Sequence, residues 1–133
     1  MKETYSSVHK TRQDLLDAMG ELPSPIGPVS AKLLSVETHE AFVLERLILS
    51  LNGYEPVPAI FVRPKEAALP YPTVLFNHSH GNLFHIGKTE LLNGCDYMLR
   101  KGYAYSLAEM GIASLAIDHM MFEERSGQTE SFT

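Results

Sequence analysis

The hydrophobic period of the chain changes near residue 30. Before it, His9 to Leu22 follows a helical period: Leu15, Leu16 and Met19 share one face, and Asp14 and Asp17 lie on the other side. PSPIGP, Pro23 to Pro28, ends that helix, because a proline has no N–H to donate and clashes with the preceding turn. From Ala31 the apolar residues fall into short runs and alternations. They predict strands near Lys32–Glu37 and Val43–Leu51, a hairpin turn at Asn52-Gly53, and a return strand over Val57–Pro64. KEAALPYP reads as a proline-punctuated loop. TVLFN, Thr73 to Asn77, is almost wholly apolar, which suits a central strand covered on both faces. Helical stretches follow near Thr89–Arg100 and Tyr103–Met110, with Gly111 closing the second. IASLAID, Ile112 to Asp118, is a second buried strand, and the tail HMMFEERSGQTESFT is polar without a strong period.

This order, an antiparallel hairpin followed by strand, helix and strand, predicts an α/β fold whose last two strands form a parallel, right-handed βαβ unit. Residues 1–28 form a helical arm and Pro-rich linker, and residues 29–133 form the domain proper. Ligands bind at the carboxyl ends of such strands. The histidine-rich loop after TVLFN sits at one such end, and Asp118 and His119 sit at the other.

Composition narrows the class. A chain of 133 residues, 44% hydrophobic, fits one globular domain. The net charge of −5 and the absence of a Lys/Arg cluster argue against nucleic acid and anionic membrane surfaces as partners. The single cysteine, Cys95, excludes an internal disulfide and a multi-cysteine zinc site. The polar N-terminus and the lack of a long apolar run lead to the expectation of a cytoplasmic protein.

The stretch NHSHGNLFHIGK carries the candidate chemistry, in three readings. His78, His80 and His85, with His119, could ligate a metal. The H-x-H-x-D-H pattern of metallo-β-lactamase-type hydrolases is broken, however, because Asn82 and Leu83 occupy its Asp and second His positions. No metal or cofactor is therefore expected. Ser79 could be a nucleophile, but Asn77 stands where the elbow G-x-S-x-G has glycine, and no helix starts directly after it. In the third reading, His80-Gly81-Asn82 is an oxyanion loop. Glycine permits the tight turn, and the Asn82 N–H is the donor.

Several segments together resemble the α/β-hydrolase superfamily, in its dienelactone-hydrolase-like and acetyl-xylan-esterase-like branch. LERLILSLNGYEPVPAIFVRP is similar to the opening hairpin, and YPTVLFNHSHG to the third strand and oxyanion loop. GKTELLNG resembles the segment after the loop, and YSLAEMGIASLAID resembles helix A and strand four. FEER is similar to a Phe-Gly-Glu-Arg, with Glu123 in the place of glycine. The resemblance covers roughly Val43 to Arg125. It implies an N-terminal portion of the hydrolase sheet, strands 1–4 with helix A, and a serine esterase mechanism acting on a small-molecule ester.

The resemblance places the oxyanion hole at Gly81 and Asn82, gives His80, Asp118 and His119 a pocket-lining role, and gives Glu124 and Arg125 structural hydrogen bonds. No serine has glycines two positions away on both sides, and the family's nucleophile, acid and base all follow strand four. The expectation is therefore a fragment with an oxyanion loop but no catalytic triad, inactive alone. The alternatives are a non-catalytic interaction domain and a His-cluster metal-dependent hydrolase. Strand five would cover TVLFN in the family's sheet order. Without it an apolar edge is exposed, so an oligomer or a complementing C-terminal chain is expected as partner.

Overall fold

The computed structural model describes residues 11–20, 24, 27–51, 53–66, 69–96 and 101–127. Residues 11–18 are helical (α1) and exposed throughout. A sheet is built from β1 (Ser30–Thr38), β2 (Phe42–Ser50), β3 (Pro56–Pro64), β4 (Thr73–Phe76) and β5 (Ala113–Ile117). Between β4 and β5 lie α2 (Glu90–Asn93) and α3 (Tyr103–Glu109), and Glu123–Arg125 form a 3-10 turn. The strand order is β1-β2-β3-β5-β4. β1 to β3 form an antiparallel meander, β3 pairs antiparallel with β5, and β4 pairs parallel with β5. The mixed sheet therefore begins with an antiparallel hairpin and ends in a parallel pair with helices in the crossover, as the hydrophobic pattern predicts.

Period-two alternation divides the core between the two faces of this sheet. Phe42, Leu44, Ile60, Val62 and Ala116 point to one face, where Leu91 of α2 and Ala104 and Ala108 of α3 cover them. Leu49, Val57 and Ala59 point to the other, joined by the half-buried Leu47, Leu115 and Ile117. The two helices cross closely at Gly102. A Cβ there would come within 2.4 Å of the Leu91 carbonyl, and the residue's φ of +65° also favours glycine.

Two elements differ from the expectations, and one meets them. β4 is an edge strand among the described residues, with Val74 39% and Leu75 59% exposed, which is the apolar edge expected of TVLFN without strand five. Local apolarity marks a strand meant to be covered; which neighbours cover it is a property of the whole sheet. The helix expected over Thr89–Arg100 is, among the described residues, the single turn Glu90–Asn93, closed at Gly94 with φ +65°. Its expected second half falls largely outside the described residues. β1 begins two residues earlier than expected and is exposed along its whole length, with a bulge between Leu33 and Ser35. The expected helix ending at Leu22 and the PSPIGP break also lie partly outside the described residues. No helix among them is long and apolar enough to cross a membrane.

Candidate active site

β4 and β5 run parallel, so their carboxyl ends deliver two loops to one edge of the sheet. The first, residues 77–89, carries the histidines. The second, residues 118–125, carries Asp118, His119 and the acidic turn. His78 joins them. Its Nε2 accepts the His119 backbone N–H at 3.0 Å, and its Nδ1 lies 3.1 Å from the Ser79 carbonyl oxygen. A nitrogen that accepts and one that faces an acceptor define the neutral tautomer protonated on Nδ1. Both ring nitrogens are thus committed to backbone groups and neither is left to ligate an ion. The His78 and His119 rings meet edge to face, 4.4 Å between centroids. His119 is held below the ordinary histidine value of 6.5, first by burial, then by the neighbouring His78 and Arg125.

The other histidines do not converge on His78 to form a metal site. His80 and His85 are exposed, and the His80 ring rests against Phe84 and Phe122, at 5.2 and 5.3 Å. The carboxylate and imidazole groups that do come close enough to hold an ion, among the described residues, are Asp118, Glu123 and Glu124. A lysine already occupies the space between them. Lys88, 2% exposed, places Nζ 2.7 Å from Asp118 Oδ2 and 2.8 Å from Glu123 Oε1, and it also contacts Glu124.

That lysine organises both loops. Its backbone N–H donates to Asp118 Oδ1 at 2.8 Å. Glu123 Oε2 accepts from the Gly87 N–H at 3.0 Å, the Thr89 N–H at 3.1 Å and the Thr89 hydroxyl at 2.8 Å. Gly87 must be small, since a Cβ would approach Asp118 Oδ1 to 2.3 Å. Burial is the largest single influence on the Lys88 ammonium and would lower its pKa, but the hydrogen bonds from Asp118, Glu123 and Glu124 together hold it above the ordinary 10.5. Glu123 shows the mirror image: burial pushes it up, and Lys88 with Thr89 outweigh this to hold it below 4.5. Arg125 closes the network by donating to the Asp118 carbonyl oxygen at 2.9 Å and by pairing with Glu55.

The residues expected at the site therefore separate. Gly81 and Asn82 form a left-handed turn with φ of 41° and 55°, exposed at the end of β4. The Asn82 N–H has only a long contact, 3.4 Å, to His80 Nδ1. His80 is exposed beside them, and half-buried His119 lies against the His78 ring. Asp118 is fully buried, and its two carboxylate oxygens accept from the Lys88 backbone N–H and ammonium. Arg125 and Glu124 make the structural contacts expected of them. Ser79 has no elbow: its hydroxyl donates to Glu90 Oε2 at 2.8 Å, and α2 begins only at Glu90.

Lys88 and Glu90 are residues that sequence reasoning did not single out, and it notes Glu123 only as standing in the place of glycine. The signal is weak. Glu90 alone adjoins an apolar pair, Leu91-Leu92, where an unpaired charge is costly and a partner has to be sought.

No known family's sequence profile matches the chain. It is similar to a Bacillus subtilis (strain 168) protein named "Putative hydrolase YtaP", at 42% identity over 120 residues, 90% of this chain and 40% of that protein. Its fold is similar to a crystal structure from Bacteroides fragilis NCTC 9343 described as a "putative acetyl xylan esterase". The TM-score is 0.65 at 18% identity, over 89% of this chain and 32% of the other. The fold is thus an esterase-like mixed α/β fold, as in part of that structure. The chain spans well under half the length of both proteins.

Proposed function

We propose that this chain contributes the oxyanion loop of a serine-dependent carboxylic-ester hydrolase of the dienelactone-hydrolase-like and acetyl-xylan-esterase-like kind. One observation carries the reading: the N–H of the exposed residue Asn82, in a left-handed turn in the loop after parallel strand β4, makes among the described residues only a long 3.4 Å contact, to His80 Nδ1. A donor presented by a turn yet weakly engaged suits a developing oxyanion, because no strong bond must break when charge appears. In the proposed reaction a serine attacks the ester carbonyl, a histidine takes its proton, and the negative oxygen settles against the Asn82 N–H and a second donor. Serine, base and acid belong to residues outside 1–133, so these residues alone turn nothing over.

Further parts of the reading rest on composition and chemistry. The substrate is a small-molecule ester, with no metal or cofactor. Nucleic acid is not a partner for a chain with a net charge of −5. The single cysteine fits a reducing, cytoplasmic setting. The exposed β4 edge is covered in the working protein by further sheet, from the same or a complementing chain, or by a second copy.

The test uses the polypeptide of the complete reading frame that contains these residues. It is expected to hydrolyse p-nitrophenyl acetate. Replacing the Asn82 amide by a backbone ester deletes the N–H alone and is expected to lower kcat by about 10²- to 10³-fold, the usual effect of losing one oxyanion donor. A proline is unsuitable, because its ring cannot adopt the φ of 55° found here. An inactive parent protein, or unchanged kcat in the backbone ester, would overturn the proposal.

A further inference from the structure

Glu90 is 2% exposed, and its Oε1 is buried without a hydrogen-bond partner among the described residues. Its other oxygen, Oε2, accepts both the Ser79 hydroxyl at 2.8 Å and the Ser79 backbone N–H at 3.2 Å. A buried carboxyl group with one unpaired oxygen is costly, and the two bonds to its other oxygen offset part of that cost. Those bonds act on the oxyanion loop. Ser79 lies three positions before Asn82 in the segment that leaves β4. His78, just before it, is tied to the end of β5 by the His119 N–H. Ser79 is tied to the start of α2 by Glu90. The segment entering the Gly81-Asn82 turn is thereby anchored on two sides, while the turn itself is exposed.

Glu90 is in turn well placed by its surroundings. Its N–H donates to the Gly87 carbonyl oxygen at 3.0 Å, and Gly87 is held by Glu123. The chain of contacts from the Lys88 network therefore runs through Gly87 and Glu90 to Ser79.

We infer that Glu90 is a positioning residue for the proposed oxyanion loop: through Ser79 it sets where the Asn82 N–H points. This inference rests on the esterase reading above. Glu90 touches no reacting atom. Its effect appears in kcat, because a misdirected donor weakens stabilisation of the transition state and not of the bound ester. Glutamine keeps an acceptor oxygen in place, whereas alanine removes it.

The experiment measures p-nitrophenyl acetate hydrolysis by the complete polypeptide and by its Glu90→Ala, Glu90→Gln and Ser79→Ala variants. Glu90→Ala is expected to lose about 10- to 100-fold in kcat with KM little changed, the scale of a displacement of order 1 Å. Glu90→Gln is expected to recover most of that loss. Ser79→Ala, which keeps the backbone N–H contact, should fall between Glu90→Ala and the parent. Parent-like kcat in Glu90→Ala, or a loss in Glu90→Gln as deep as in Glu90→Ala, would overturn the inference. Should Glu90→Ala fail to fold, Ser79→Ala decides: reduced kcat at unchanged KM supports the positioning role, and unchanged kcat overturns it. An inactive parent would instead overturn the esterase reading, so the two failures are distinct.

Discussion

Lys88 grips Asp118 twice, with its ammonium 2.7 Å from Oδ2 and its own backbone N–H 2.8 Å from Oδ1. Both side chains are buried, at 2% and 0% exposure. The residue that follows β5 and the residue that leads into α2 are thus joined by side chain and main chain together. Through that joint the loops at the carboxyl ends of β4 and β5 become one unit, on which the Gly81-Asn82 turn is carried.

Lys88→Met would leave Asp118 and Glu123 buried without their cation. Removing one partner of a buried ion pair costs about 3–5 kcal/mol. Urea denaturation of the variant is expected to show a midpoint lowered to match, with the slope unchanged. A loss below about 1 kcal/mol, the scale of an exposed pair, would mean that the pair is effectively solvated.

Glu123→Gly sets two effects against each other. Glycine would relieve a side chain held at φ 45°, worth roughly 1–2 kcal/mol. It would also remove the acceptor for Lys88, Gly87 and Thr89, where bonds to charged groups contribute about 1.5–3 kcal/mol each. The bonds outweigh the strain, so the variant should be less stable by at least about 2 kcal/mol. A more stable variant would show that backbone conformation dominates at this turn.

Gly87→Ala places a methyl group 2.3 Å from Asp118 Oδ1. The expected cost is about 1–3 kcal/mol, as for overpacking elsewhere. Because Gly87 and Lys88 both act on Asp118, Gly87→Ala combined with Lys88→Met should cost less than the two singles added, with a coupling of about 0.5–3 kcal/mol. Strict additivity would separate the two contacts.

The pKa directions define a pH window. Glu123 is held below 4.5, so the stability it confers is present above 4.5 and is lost as pH falls through the lower folded value. Lys88 is held above 10.5, so its share is present below 10.5 and is lost as pH rises through the higher folded value. His119 adds a further acid-side loss. Its folded pKa lies below 6.5, the unfolded state binds more protons, and stability falls as pH drops below 6.5. His119→Gln should remove only that last step from a plot of unfolding midpoint against pH. A plot unchanged by the substitution would contradict it.

Residues 1–133 expressed alone should associate through β4, where Val74 and Leu75 are exposed on an edge strand. Light scattering is expected to show species larger than a monomer, and Leu75→Lys should shift them towards one. A dilute monomer from the unaltered chain would count against this edge as the contact.

What the chain determines by itself is local. Alternation from Ala31 to Pro64 places the meander, because successive side chains of a strand point to opposite faces of the sheet. The apolar runs TVLF and ASLAI mark the parallel pair, and Gly81 marks a turn that backbone geometry requires. The tertiary structure alone decides which charges meet. Lys88 and Asp118 are thirty residues apart, and Gly87 and Glu123 thirty-six. No periodicity or spacing encodes such pairs. A buried ammonium is tolerable only because folding brings three carboxylates around it, and a buried Glu90 only because the loop after β4 returns Ser79 to it. For the same reason Asp118, which local sequence places at a ligand-binding strand end, is turned inward in the folded chain, where it fastens the site together.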